Sequence, residues 1–173
     1  QAGSAADKHA SHDGATPGSG VIYARGPQML VGYLHPEDNA AAFGAEGFFR
    51  TGDLARWADD DYLVVTGRAK DLIIRNGENI SAKEIEDILI GHPGIDEIAI
   101  VGIPDERTGE RACAVIVSTE NPPPDVAALR SLLDEHGVAR FKAPEQVVIW
   151  EALPRNDAGK VLKHKIRATL VRG

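Results

Sequence analysis

Three polar stretches of this chain concentrate residue types that fold-building alone does not require. Gly47-Phe48-Phe49-Arg50-Thr51-Gly52-Asp53-Leu54 sets an Arg, a Thr and an Asp around a Gly. Gly67-Arg68-Ala69-Lys70-Asp71 crowds three charges together and is followed by Arg75-Asn76-Gly77-Glu78-Asn79. Leu153-Pro154-Arg155-Asn156-Asp157-Ala158-Gly159-Lys160 is a long polar loop that ends in a lysine. Taken singly, each also reads as turn chemistry with solvated charges. Gly159-Lys160 invites a phosphate-loop reading, but Val161 follows where that loop needs Ser or Thr, and Pro154 stands where it needs its first Gly.

The bulk composition limits what these stretches can serve. Nineteen Lys and Arg against 26 Asp and Glu leave a formal charge of −7 in 173 residues, which argues against general nucleic-acid binding. An anionic ligand must therefore be met by a local basic cluster. No metal site is expected: the histidines at 9, 12, 35, 92, 136 and 164 lack ligand spacing, and Asp59-Asp60-Asp61 reads as a solvated turn. The single cysteine, Cys113, lies in the apolar run Ala112–Val117 and reads as a buried small hydrophobe. A lone cysteine fits a reducing cytoplasm. No apolar run approaches the roughly 20 residues of a membrane helix, so a soluble chain without a transmembrane segment is expected. Oligomeric state is unknown from sequence.

The elements that must position the polar stretches fall into two parts. Residues 1–20, rich in Gly, Ser, Ala and His, read as a flexible lead-in or a cloning remnant. Residues 21–67 read as short strands and turns with too few apolar residues for a complete domain, including a hairpin of Leu54–Trp57 and Tyr62–Thr66. Asp38–Phe43 suits one or two helical turns, and both Trp57 and Trp150 read as core.

From residue 71 to 173 strands and helices alternate, predicting an α+β domain with a mixed sheet and about three helices. Leu72–Arg75 is a strand and Asn76-Gly77 a turn. Ser81-Ala82-Lys83-Glu84 is a capping box that opens a helix burying Ile85, Ile88 and Leu89. Ile95–Ile103 and Arg111–Ser118 read as strands joined by the polar loop Pro104–Glu110. Asp125 opens a second helix with Val126, Leu129, Leu132 and Leu133 inward, ending at Gly137. Gln146–Trp150 is a strand and Val161–Val171 a last helix, whose Lys163, Lys165 and Arg167 read as a solvated face.

In order and spacing, the polar stretches closely resemble motifs of the adenylate-forming (AMP-binding) superfamily, which includes acyl-CoA synthetases, luciferases and peptide-synthetase adenylation domains. Arg25-Gly26-Pro27 through Gly32-Tyr33 is similar to its RGP…GY stretch, and Arg50-Thr51-Gly52-Asp53-Leu54 to its RTGDL motif. Gly67 through Ile74 and Asn76 through Glu86 resemble its hinge and following loop. Leu153-Pro154 to Gly159-Lys160 resembles its terminal lysine motif. The likeness runs from about Gly20 to Leu170.

The resemblance implies a small C-terminal lid domain at 71–173, a hinge at 68–70, and a β-rich end of the large AMP-binding domain at 21–67. It implies a two-step reaction in which a carboxylate attacks the α-phosphate of Mg-ATP, and a thiol then displaces AMP. Lys160 would be catalytic, bridging acid and phosphate from a mobile loop that admits ATP before closing. Asp53 and Arg68 would bind the nucleotide, Asp53 accepting hydrogen bonds from ribose hydroxyls. Lys70 would be the hinge, and Gly77 would line the CoA pantetheine tunnel, where a side chain would obstruct. The implied substrates are ATP, CoA and a carboxylic acid, fatty or alicyclic/aromatic, with Mg²⁺ held on the missing large domain. The identity of the acid is not legible.

The leading expectation is thus an acid–thiol ligase of the acyl-CoA synthetase kind, inactive as this fragment alone. A peptide-synthetase-type adenylation domain that loads a carrier protein is an alternative, although the chain ends soon after its last helix. A non-catalytic lid or interaction module is a second alternative.

Overall fold

A computed structural model of the chain describes residues 18–58 and 62–172. The expected lead-in, up to residue 17, and the triple Asp at 59–61 lie outside the described residues. The chain divides between Ala69 and Lys70 into two compact units.

In the first unit β1 (Gly20–Ala24), β2 (Phe49–Ala58) and β3 (Tyr62–Arg68) form an antiparallel sheet in that order. A single-turn helix α1 (Asn39–Ala42) precedes β2, as the Asp38–Phe43 segment predicted. Among the described residues of this sheet, only Leu54 and Ala55 are buried hydrophobic side chains. Trp57, expected in a core, is 46% exposed, and Leu63, Val64 and Val65 are exposed beside it. Among the described residues of this unit no apolar layer opposes the three strands, so alternation along β2 and β3 buries little.

The second unit opens with a hairpin of β4 (Leu72–Arg75) and β5 (Glu78–Ser81). Asn76 and Gly77 turn it with φ of 52° and 79°, a left-handed pair that Asn and Gly tolerate best. Helix α2 (Ala82–Leu89) follows, with the Ser81 hydroxyl accepting from the Glu84 amide at 3.3 Å as the capping box predicts. Long strands β6 (Ile95–Asp105) and β7 (Gly109–Ser118) pair antiparallel. The loop expected between them shrinks to a tight turn, because one Asp105 oxygen accepts from the amides of Arg107 and Thr108 and from the Thr108 hydroxyl. Those bonds hold the Asp105 carboxyl below the usual carboxylate range, with the Thr108 hydroxyl the largest cause.

Helix α3 (Val126–Glu135) is capped by Asp125, which accepts from Ala128 at 2.9 Å. Strand β8 (Gln146–Ile149) joins β7 in parallel, so the sheet is mixed, and α4 (Lys163–Arg172) ends the described chain. The continuous apolar text of β6 and β7 follows from burial of both sheet faces. Ile100, Ala112, Ala114 and Ile116 face α2 and α3, packing with Ile85, Leu89, Leu129 and Leu133. Their neighbours Ala99, Val101, Ile103, Cys113 and Val115 face the other way, against Leu153 and Ile166 of the α4 side. Trp150 packs partly buried against that second cluster. Burial pushes the Cys113 thiol up to about 11, which suits a packed hydrophobe rather than a nucleophile. Among the described residues no helix is long and apolar enough to cross a membrane.

Candidate functional site

Antiparallel pairing of β2 and β3 sets Asp53 opposite Arg68, so their side chains share a face. The Arg68 Nε donates to Asp53 Oδ1 at 2.6 Å, and each side chain remains about one-third exposed. Thr51 fixes the approach: its hydroxyl donates to the Ile22 carbonyl and accepts from the Asp53 amide, both at 3.1 Å. Gly52, between them, has φ of 76°, a conformation for which Gly is the natural choice. The result is an oriented carboxylate beside a guanidinium, both partly open to solvent.

Lys70 and Gly77 belong to the second unit. Lys70 sits in the short turn Ala69–Asp71 with its side chain exposed. Its carbonyl accepts from Arg167 Nη2 at 3.3 Å, and the same nitrogen donates to Asp71 at 3.1 Å. Gly77 occupies the hairpin tip, where an added Cβ would meet no atom within 4 Å. Its demand for Gly comes from the left-handed backbone, because there is no crowding around it in this unit.

Lys160 stands at the end of a turn that closes on itself. The Gly159 amide donates to the Asn156 carbonyl at 2.8 Å, and the Asn156 amide to the Lys160 carbonyl at 3.0 Å. The Lys160 amide returns to the Asn156 side-chain oxygen at 2.8 Å. Arg155 pairs with Val161 across the turn, donates to the Gly159 carbonyl at 2.6 Å, and forms an ion pair with Glu97 of β6 at 2.9 Å. The loop expected to carry Lys160 is closed by these hydrogen bonds into a turn. The Lys160 ammonium is exposed, and among the described residues it has no hydrogen bond or ion pair. No hydrogen bond joins Lys70, Gly77 and Lys160, which lie on separate turns.

A cluster that sequence reasoning missed lies between α4 and α2. Lys163 meets Glu86 Oε1 at 2.6 Å, with both side chains less than one-fifth exposed, and Arg167 meets Asp71 at 3.1 Å. The solvated face expected for Lys163 and Arg167 is thus replaced by paired charges. Burial raises the Glu86 carboxyl above its ordinary value, against the lowering pull of Lys163 and of the Ile100 amide that donates to it at 2.7 Å. One signal was present in the text. Glu86 lies four residues after Ala82 and three before Leu89, on the buried stripe of α2, where an acid needs a partner. Among the described residues no group of three or more His, Cys, Asp or Glu could hold a metal ion.

Comparison with known proteins gives this geometry a setting. Residues 84–160 match the AMP-binding enzyme C-terminal domain. The chain is 45% identical over 148 residues to the salicyl-AMP ligase / salicyl-S-ArCP synthetase of Mycobacterium tuberculosis, covering 85% of this chain and 26% of that protein. It is 41% identical over 150 residues to the medium-chain fatty-acid–CoA ligase of Escherichia coli, covering 86% of this chain and 26% of that protein. The crystal structure of ATP-bound MatB from Rhodopseudomonas palustris matches with a TM-score of 0.79 and 38% identity, over 87% of this chain and 30% of that one. The chain thus spans about a quarter of the length of these curated relatives. With the motif order, the mixed α+β unit and these likenesses in agreement, the chain belongs to the adenylate-forming (AMP-binding) superfamily, as a C-terminal portion.

Proposed function

We propose that this chain is the lid-bearing part of an ATP-dependent carboxylate–CoA ligase acting on a fatty or alicyclic/aromatic acid. In the first half-reaction a carboxylate oxygen bonds to the α-phosphorus of ATP and the bond to pyrophosphate breaks. In the second, a thiol sulfur bonds to the acyl carbon and AMP leaves. Carboxylate and triphosphate repel each other, so the first step needs a cation delivered to where negative charge crowds. Lys160 has that role. The observation that carries the reading is its exposed ammonium, without a partner among the described residues, on a turn in which the Asn156, Gly159 and Lys160 amides are hydrogen-bonded.

Asp53 accepts the ribose hydroxyls, and Arg68 holds that carboxylate in place near the ribose and phosphates. Lys70 is the pivot about which the second unit, taken as the lid over residues 71–173, changes position between steps, with 21–67 as the end of the larger domain. The division of the chain at Ala69–Lys70 supports this. Gly77 lies where pantetheine passes. The described residues offer no acidic cluster for Mg²⁺, which residues of the larger domain would hold.

Likeness to the fatty-acid–CoA ligase supports CoA as the acceptor. Likeness to the salicyl-S-ArCP synthetase favours a second reading, in which a carrier protein takes its place. The test is to assay each half-reaction of the intact ligase that carries this chain, with CoA and with carrier protein, in wild type and in Lys160→Ala. Adenylation should fall roughly 10²-fold or more in Lys160→Ala, while supplied acyl-adenylate is still converted to thioester. Normal adenylation by Lys160→Ala would remove the assignment. The 173-residue chain alone should release no pyrophosphate above a no-protein control.

A further inference from the structure

The turn that carries Lys160 has a specific outside anchor. Arg155 contacts it twice and the sheet once. Its backbone pairs with Val161 on the far side of Lys160, and its Nη1 donates to the carbonyl of Gly159, the peptide immediately before Lys160. Its Nη2 forms an ion pair with Glu97 Oε2 at 2.9 Å, an electrostatic contact without hydrogen-bond geometry. Glu97 lies on β6, opposite Val117 of β7, in the most extensively paired ladder of the second unit. Gly159 itself has φ of 77°, so the peptide Arg155 grips is one whose orientation Gly leaves free. A guanidinium can bond a carboxylate and a carbonyl at once in a fixed plane, which an ammonium cannot.

We infer that Arg155, anchored by Glu97, is a positioning residue that sets the direction of Lys160 toward the reacting phosphate. The inference rests on the proposed catalytic role of Lys160. Arg155 acts through the Gly159 carbonyl and touches no substrate. Preorganisation has a large effect on such a contact, because a displacement on the order of 1 Å at a reacting centre can cost roughly 10²-fold in rate. Asn156 closes the turn from inside, and Arg155 fixes the closed turn to the sheet.

The test has two arms. In the 173-residue chain, backbone ¹⁵N relaxation reads the order of the Gly159 and Lys160 amides in wild type, Arg155→Ala, Arg155→Lys and Glu97→Gln. In the intact ligase carrying the same variants, ATP–pyrophosphate exchange and thioester formation from supplied acyl-adenylate are measured separately. Arg155→Ala should loosen those two amides but not the β7 amides, and should lower exchange roughly 10- to 100-fold, leaving thioester formation near wild type. Arg155→Lys and Glu97→Gln should fall between. The side chain is exposed, so melting temperature should hardly move. Ordered amides with normal exchange in Arg155→Ala would overturn the inference, as would loosened amides with normal exchange. Lost exchange with ordered amides would also overturn it, since Arg155 would then act directly. Lys160→Ala in parallel separates the levels: if it exchanges normally, the catalytic reading fails rather than the anchoring.

Discussion

Replacing Lys163 with Met should make the stability of the second unit strongly pH-dependent. At 2.6 Å the Lys163–Glu86 attraction amounts to about 6 kcal/mol at an effective dielectric constant near 20, largely offset by desolvation of two ions. Deleting the lysine removes the attraction and leaves Glu86 buried with the Ile100 amide and the nearby Asp71 charge. Its carboxyl, already raised by burial, then rises further. A raised carboxylate contributes stability that is present below its unfolded value and is lost as pH climbs through the folded one. Protonation caps the loss at roughly 1.4 kcal/mol per pH unit above the ordinary value, hence about 2 kcal/mol at pH 6 and at most about 5 at pH 8. Urea unfolding followed by Trp150 fluorescence in a Trp57→Phe background gives the difference from wild type. Adding Glu86→Gln should recover most of the loss at pH 8. A pH-independent loss, or a double variant no better than the single, would refute the reasoning.

Lys70→Pro fixes φ near −65° and should separate the half-reactions, with adenylation surviving better than thioester formation; equal loss of both in a folded protein would remove the hinge role. Gly77→Ala and Gly77→Leu should each lower stability by about 1 kcal/mol through backbone strain alone, since nothing crowds the site, yet only Leu should block thioester formation. Equal kinetic effects of Ala and Leu would discard the tunnel reading. Ile85→Ala, at a fully buried position of α2, should cost about 2–5 kcal/mol in urea unfolding, and a smaller loss would mean that the cavity collapses.

What the text made visible was chemistry that completes itself within a few residues. Ser81 and Asp125 announce their helices because each cap reaches only three residues ahead. The apolar runs of β6 and β7 announce strands, and burial on both sheet faces explains why those runs do not alternate. Trp57 misled because its own strand carries no information about whether a second layer exists. The charges of α4 misled for a related reason: Arg167 finds Asp71 from 96 positions away, so i,i+4 spacing describes the helix face and not what covers it. The Lys160 turn is closed by contacts of two ranges. Its Asn156 to Lys160 spacing is local, but the Glu97 anchor lies on another element.

These contacts bear on where motion can occur. Helix α4 begins three residues beyond Lys160, seats Ile166 in the sheet's second cluster, and binds α2 through Lys163. Arg167, one turn further, takes the carbonyl of Lys70. The residue proposed as pivot is thus held on its C-terminal side by the same helix that leads out of the Lys160 turn. Rotation at the pivot must be taken up at the Lys70 backbone dihedrals or before them, because beyond its carbonyl the chain is already fastened. Under the proposed function Lys160 therefore arrives and departs with the whole unit, and its turn has no need to open. A loop-gated lysine would require the bonds among Arg155, Asn156 and Gly159 to break in each cycle; a unit-borne lysine keeps them. Arg155→Ala tells these apart, because looser anchoring would assist a gating loop and should impair a carried one.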